Sequence, residues 1–219
     1  MIKSVLSSVP IHFLTALPAP KWVLKRIDKI RRAFQWKGEE PENVKLGTSL
    51  VSWHIVCRPK ELGGRGILDL EKFTSALRLR WLWLRWQDQS RPWEAMESPC
   101  NEKDICLSQA CTQISIGNGR KISFWKDNWL QGPCPKDIAP TLFGLAKRKN
   151  RKLDIELPNN NWLYSFRQIT TIKAIHELVN LGSLLNQIEL HENQEDEITW
   201  TRGNTGRFSV QSAYRAQFI

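Results

Sequence analysis

Apolar side chains recur at steps of three and four residues in three separate segments of this chain, at 20–36, 70–88 and 162–190. This spacing places the apolar positions on one face of an α-helix, whereas a half-buried strand would alternate at every second residue. In the last segment the apolar side comprises Ile172, Ile175, Leu178 and Val179. The sequence therefore predicts a mainly α protein with a small β component, an α+β fold.

The clearest β signal lies at 113–125. Polar and apolar residues alternate on both sides of the Gly-Asn-Gly triplet at 117–119. Glycine and asparagine tolerate the positive φ angles of tight hairpin turns, so we predict a β-hairpin at 113–125. Near the end of the chain, 198–214 has the pattern strand, turn, strand, helix, and Ser209 is a suitable N-cap for that helix.

The charged residues are unevenly distributed and make the chain basic. The formal net charge is +10, and residues 1–152 hold 27 of the 32 Lys and Arg residues. Such an excess favours a polyanionic partner such as DNA or RNA. A basic surface without a partner is the alternative that composition leaves open.

Two short blocks carry charge of one sign. The segment 189–197 has five carboxylates and no cation, which predicts a solvated acidic loop. The segment KRKNRK at 147–152 has five cations in six positions. Blocks of this kind serve as solvated linkers, nuclear-import signals or nucleic-acid-binding tails, and we interpret this one as a boundary between regions.

No part of the sequence suits a membrane or the secretory route. No run approaches the ~18 uncharged apolar residues of a spanning helix, and the first 22 residues lack a clean apolar block before a cleavage site. The five cysteines are odd in number and form no C-x-x-C pair, as expected of reduced thiols. We expect an intracellular protein, nuclear or cytoplasmic, with no membrane partner.

The sequence offers no enzymatic or metal-binding motif. Its four His residues form no paired motif and no G-x-S-x-G occurs, which argues against a hydrolase. A tetrahedral zinc site needs four close ligands, typically with a C-x₂₋₄-C pair. His54 and Cys57 form only an isolated pair, which we interpret as core residues beside Trp53. We predict no catalytic residue, no metal ligand and no cofactor in this chain.

Four segments, in order along the chain, resemble the plant non-LTR (LINE-type) retrotransposon reverse transcriptases, in the region downstream of the polymerase palm. They are PKWVLKRIDKIRRAFQWKG at 20–38, the segment 51–86 ending in RWLWLRW, ISIGNGRKISFWKDNWL at 114–130, and ITWTRGNTGRFSVQSAY at 198–214. The stretch 2–20 is also similar to the family, and the resemblance thins at 88–110 and 131–195. The matched region leads into the C-terminal zinc-binding domain of these proteins.

The resemblance implies a fragment of an RNA-directed DNA polymerase without its active site. In the family, palm carboxylates hold two Mg²⁺ ions that activate the primer 3′-OH, and this sequence has no adjacent Asp-Asp pair. The zinc ligands of the family likewise lie beyond the matched part. We therefore expect no polymerase activity from this chain alone. Mg²⁺ and Zn²⁺ are expected only in the full-length parent, where the missing palm domain would be a partner.

Three regions follow from the resemblance. Residues 1–90 would be a thumb-like basic helical region, 91–150 a linker-like region with the hairpin, and 151–219 the lead-in to a truncated zinc-binding domain. The helix at 21–37 would hold the RNA or DNA template–primer. The expected nucleic-acid-binding residues are Lys25, Arg26, Lys29 and Arg32, followed by Arg78, Arg80 and Arg85. Their contacts would be electrostatic and independent of base sequence.

Other interpretations stay open at this point. The aromatic residues between the arginines of 73–86 can stack on bases, although their helical spacing favours a core with an arginine rim. The chain could be a decayed open reading frame without a biochemical function. It could also be a co-opted basic adaptor for nucleic acid or protein that uses the Trp-rich helix as a docking face.

Overall fold

The computed structural model describes residues 20–37, 51–88, 96, 98–130 and 132–218. Helices predominate in these ranges, and the sheet that they contain has two strands. The elements, in chain order, are α1 Lys21–Lys37, α2 Trp53–Val56, α3 Leu70–Gln87, α4 Glu102–Cys111, β1 Thr112–Ser115, α5 Pro135–Ile138, α6 Pro140–Leu145, α7 Leu153–Glu156, α8 Ile172–Leu185, β2 Glu197–Trp200 and α9 Val210–Ala216. Segments of 3₁₀ helix occupy Lys60–Leu62 and Pro158–Ser165. The prediction of a mainly α fold with a small β component is confirmed.

The chain divides into two compact units. Met1–Ser108 together with Phe208–Ile219 form the first unit, and Gln109–Arg207 form the second. The last helix, α9, therefore packs with helices from the beginning of the chain. The predicted three-region division, with boundaries near residues 90 and 150, concerns regions of a parent protein and stays a prediction. Within the described ranges, no helix has the length and apolarity needed to cross a bilayer.

The first unit is built around α1 and α3, and the helices predicted at 20–36 and 70–88 are confirmed. A buried cluster of α1 and α3 side chains forms its core, and further apolar side chains pack against that cluster. The buried residues are Leu24, Leu70 and Leu77, and the surrounding ones are Ile27, Phe73 and Val210. Asp69 caps α3 by accepting a hydrogen bond from the Lys72 N–H. Ser209 caps α9 in the same way, as predicted.

Tyr214 of α9 joins two chain segments of this unit. Its hydroxyl oxygen accepts a 2.9 Å hydrogen bond from the Asp69 N–H and its hydroxyl donates a 3.4 Å bond to the Cys57 carbonyl. Burial raises the pKa of Tyr214 to about 12. One hydroxyl thus provides a hydrogen-bond partner for a backbone N–H at the start of α3 and for a backbone carbonyl at the end of α2.

Replacing Tyr214 with phenylalanine is expected to lower the free energy of unfolding by about 1–3 kcal/mol. The ring keeps its packing, but the Asp69 N–H and the Cys57 carbonyl lose their partner in a buried setting. Urea unfolding followed by circular dichroism measures the change. Tyr164→Phe is the matched control, because the Tyr164 side chain is 80% exposed and its hydroxyl contributes little. Equal stability of both variants would contradict this role of the Tyr214 hydroxyl.

The sheet belongs to the second unit and corrects the predicted hairpin. β1 pairs antiparallel with β2, with Thr112 opposite Trp200 and Ser115 opposite Glu197. The prediction that β1 would pair with the segment after the Gly-Asn-Gly turn is therefore wrong. That segment instead contacts residues 151–152. Ser123 forms an isolated antiparallel bridge with Lys152, and the Phe124 N–H donates to the Arg151 carbonyl.

The Gly-Asn-Gly turn itself is present and is held by Asp196. The N–H groups of Gly117, Gly119 and Lys121 all donate to the Asp196 carboxylate. Gly119 has a φ of +75°, the left-handed region that glycine tolerates. Asp196 is buried, so the prediction that 189–197 is a wholly solvated acidic loop is wrong at this position. We call this arrangement the Asp196 turn.

An aromatic cluster forms much of the core of the second unit and explains part of the tryptophan content. Phe124 and Trp125 make an edge-on contact with ring centroids 5.2 Å apart, and Trp162 contacts Phe166 in the same way at 6.0 Å. The Trp129 indole N–H donates to the Phe124 carbonyl at 3.0 Å. Edge-on pairs of this kind add about 0.5–1.5 kcal/mol beyond their buried area.

The helix α8 buries a different side from the apolar one that its sequence suggests. Ile172 and Val179 are 75% and 64% exposed, whereas Glu177 is buried. The Glu177 carboxylate accepts hydrogen bonds from the Thr141 hydroxyl and from the Leu142 N–H. It therefore caps the N-terminus of α6, where the unpaired N–H groups and the helix dipole favour a negative charge.

The cationic block 147–152 lies within the second compact unit, and its interpretation as a boundary between regions of a parent protein stays a prediction. The Arg151 guanidinium contacts the buried Glu156 carboxylate at 3.3 Å. The Lys152 ammonium donates to the Lys121 carbonyl at 2.9 Å, and the Lys149 ammonium lies 4.7 Å from the centroid of the Phe143 ring. Half of this block is therefore engaged in contacts within the unit.

Candidate nucleic-acid interface

The exposed side of α1 carries three of the seven predicted binding residues. Lys25, Arg26 and Lys29 are all exposed. Their spacing of one, three and four residues places them on one side of the helix, within a length of about 6 Å. In the described residues, no carboxylate lies within ion-pair distance of these three side chains. The structure thus presents three neighbouring cations to solvent on one helical face.

The opposite side of α1 is fixed by Arg31, which is fully buried. Its guanidinium donates to the Asp28 carboxylate at 2.8 Å and to the Leu68 carbonyl at 2.6 Å, and it lies 5.5 Å from the centroid of the Trp53 ring. Burial raises the pKa of the Asp28 carboxyl, and the positive charge of Arg31 offsets only part of that rise. The sole acidic residue of α1 is therefore turned toward Arg31 and away from the exposed cations.

Arg32, the fourth predicted residue of α1, is half-buried. Its Nε–H donates to the Asp28 carbonyl at 3.3 Å, and its guanidinium lies 5.9 Å from the centroid of the Trp53 ring. These contacts hold the side chain beside the core of the first unit. The Arg32 guanidinium is consequently less accessible to a ligand than the three exposed cations are.

The three predicted arginines of α3 have three different environments. Arg80 is exposed. Arg85 is half-buried and donates to the Met96 carbonyl at 2.7 Å. Arg78 is buried, and two of its nitrogens donate to the Asp104 carboxylate at 2.6 and 3.1 Å. This bidentate ion pair engages the Arg78 guanidinium within the first unit.

Two residues on the exposed side of α1 were not among the predicted binding residues. Lys21 is exposed, and the Trp22 side chain is 72% exposed. Position 22 precedes Lys25 and Arg26 by three and four residues, so a helical projection of the sequence places Trp22 on the same side as these cations. Apolar character alone would have assigned Trp22 to the core, and the structure places it among the cations. We call Lys21, Trp22, Lys25, Arg26 and Lys29 the α1 surface.

The described residues contain no group of three or more His, Cys, Asp or Glu side chains placed to hold a metal ion. Cys57 is buried, as expected of a core residue, and its burial raises the pKa of the thiol to about 12. His54, which was expected beside it in the core, is exposed. This motif therefore contributes a core thiol and a surface imidazole.

The chain is similar to a plant protein over nearly its whole length. Across 243 aligned positions, covering 98% of this chain, it is 26% identical to a curated protein of Arabidopsis thaliana named "Putative ribonuclease H protein". The chain spans 37% of the length of that protein. No protein-family model matches the chain, and no solved structure matches it.

Proposed function

We propose that this chain is part of a plant retroelement reverse transcriptase and that its own role is to bind the nucleic-acid backbone through the α1 surface. The proposal is supported by the resemblance of four ordered segments to the LINE-type family. The similarity to an Arabidopsis protein whose name refers to ribonuclease H agrees with a nucleic-acid partner. The third support is the set of exposed cations on α1.

The observation that carries the proposal is the uncompensated charge of Lys25, Arg26 and Lys29. Each Lys or Arg that neutralises a phosphate releases condensed counterions, and this release drives association without reading the base sequence. Arg80, exposed on α3 of the same unit, would add a further phosphate contact. The template–primer of a polymerase, RNA or DNA, is a ligand of this chemistry.

Catalysis and metal binding belong, in this proposal, to other parts of the parent. The palm would supply the carboxylates that hold Mg²⁺, and the domain after the matched region would supply the zinc ligands. The first unit would then act beside the palm by holding the duplex or its single-stranded extension. DNA synthesis is expected from the full parent protein and not from this chain.

The first test is a salt titration of binding. Fluorescence anisotropy with a labelled 20-base-pair RNA–DNA hybrid and with a 20-nucleotide single strand gives the affinity at several salt concentrations. Three phosphate contacts predict that log K falls with log salt with a slope of about −2 to −3. An affinity independent of salt, or no binding to either ligand at low salt, would contradict the proposal.

A further inference from the structure

Trp22 is an exposed indole within a cluster of cations. Its side chain is 72% exposed. It lies about one helical turn before Lys25 and Arg26 and about two turns before Lys29, on the same side of α1. Exposure of a large apolar side chain costs free energy relative to its burial, so a ligand that covered the indole would gain affinity from that contact.

Other tryptophans near α1 have their ring faces occupied. The Arg65 guanidinium lies 5.7 Å from the centroid of the Trp36 ring, and both Arg31 and Arg32 lie within 6 Å of the centroid of the Trp53 ring. Among the described residues, no aromatic ring or cation packs against Trp22. Within the described ranges, the Trp22 indole thus has no aromatic or cationic partner, and most of its surface is exposed.

The charge around Trp22 identifies the kind of ligand. An apolar protein segment docking on this indole would also desolvate Lys25, Arg26 and Lys29 without supplying an opposite charge. A nucleic acid supplies both the phosphates and flat aromatic rings. In a duplex the base faces are covered by their neighbours in the stack, whereas in a single strand they are open to a protein aromatic ring.

We propose that the α1 surface binds single-stranded nucleic acid, with Trp22 stacked on an unpaired base and the neighbouring cations on the flanking phosphates. This inference rests on the proposed function and names its ligand class. From Trp22 to Lys29 the helix rises about 10 Å, or seven residues. Stacked nucleotides are spaced at about 3.4 Å per strand, so the surface covers about three nucleotides.

The experiment compares a labelled 20-nucleotide oligo(dT) with a 20-base-pair duplex at the same low salt concentration. The wild-type chain is expected to bind the single strand more tightly than the duplex. Trp22→Ala should weaken oligo(dT) binding about 5- to 100-fold, the usual effect of removing one base-stacking aromatic, and duplex binding less than about 2-fold. Tyr164→Ala removes an aromatic side chain that is 80% exposed in the second unit, and it should leave both affinities unchanged.

Two further variants separate stacking from folding. Trp22→Phe keeps an aromatic ring and should retain most of the single-strand affinity, whereas Trp22→Leu keeps apolar volume without the ring and should lose it. Thermal unfolding of each variant checks that the fold is intact. If Trp22→Leu binds oligo(dT) as tightly as the wild type does, this inference is overturned and the proposed function stands. If the wild-type chain binds neither oligo(dT) nor the duplex, both this inference and the proposed function are overturned.

Discussion

Replacing Asp196 with alanine is expected to lower the free energy of unfolding by about 3–5 kcal/mol. The Asp196 carboxylate accepts hydrogen bonds of 2.8 Å from Gly117, 2.9 Å from Gly119 and 2.9 Å from Lys121. Alanine would leave these three backbone donors without an acceptor, and each buried orphan donor costs about 1–3 kcal/mol. Because β2 begins at the next residue, Glu197, the pairing of β1 with β2 should loosen as well.

Two neighbouring substitutions make this result specific. Asp196→Asn keeps one side-chain oxygen, which can accept hydrogen bonds from the Gly117 and Gly119 N–H groups. The Lys121 N–H then lacks an acceptor, so an intermediate loss of stability is expected. Glu195→Ala removes the adjacent carboxylate, which is exposed and pairs with the Lys121 ammonium at 2.8 Å, and should leave the unfolding midpoint close to that of the wild type. Urea unfolding that gives Asp196→Ala the midpoint of Glu195→Ala would show that the carboxylate does not organise the turn.

The Asp196 turn also shows why the hairpin was predicted with the wrong partner. The glycines at 117 and 119 correctly indicate a turn, because backbone conformation there is a local property. A side chain on Gly117 would place its Cβ 2.3 Å from the Gln194 carbonyl oxygen, so glycine is needed for a close approach between distant segments. That approach joins residues almost 80 positions apart, and a local pattern does not contain it.

The helices α1 and α3 were predictable because each buries one apolar side against the other in the same unit. In α8 the same reasoning identified the helix and missed its buried side. Glu177 lies on the buried side of α8, where its carboxylate accepts hydrogen bonds from the Thr141 hydroxyl and the Leu142 N–H. Buried polar groups are paired in this way, and these two donors become visible only in the fold.

The candidate binding residues show the same difference between local and long-range properties. Lys25, Arg26 and Lys29 are exposed as their helical positions predict, since they lie opposite the apolar side of α1. Arg78 was grouped with them from its place among the aromatic residues of α3. Its partner, Asp104, lies 26 residues further along the chain, and no short-range pattern connects the two. Local periodicity therefore predicts exposure better than it predicts ion pairing.

Replacing Lys25, Arg26 and Lys29 of the α1 surface is expected to weaken nucleic-acid binding about 10²- to 10³-fold at about 50 mM salt. The triple variant Lys25→Gln, Arg26→Gln and Lys29→Gln removes three cations and keeps residues of good helix propensity. Each lost phosphate contact should reduce the magnitude of the salt slope by about 0.9 for a duplex and about 0.7 for a single strand. Anisotropy titrations of wild type and variant across a range of salt concentrations measure both quantities.

A control with the same change in net charge separates a local surface from a general attraction. Lys103, Arg167 and Lys173 are exposed cations outside α1. Their replacement by glutamine lowers the net charge of +10 by the same three units. If binding depends on the α1 surface, this control keeps most of the affinity and most of the salt slope. If both triple variants lose affinity equally, net charge alone explains the binding, because contacts at defined phosphates would distinguish three neighbouring cations from three dispersed ones.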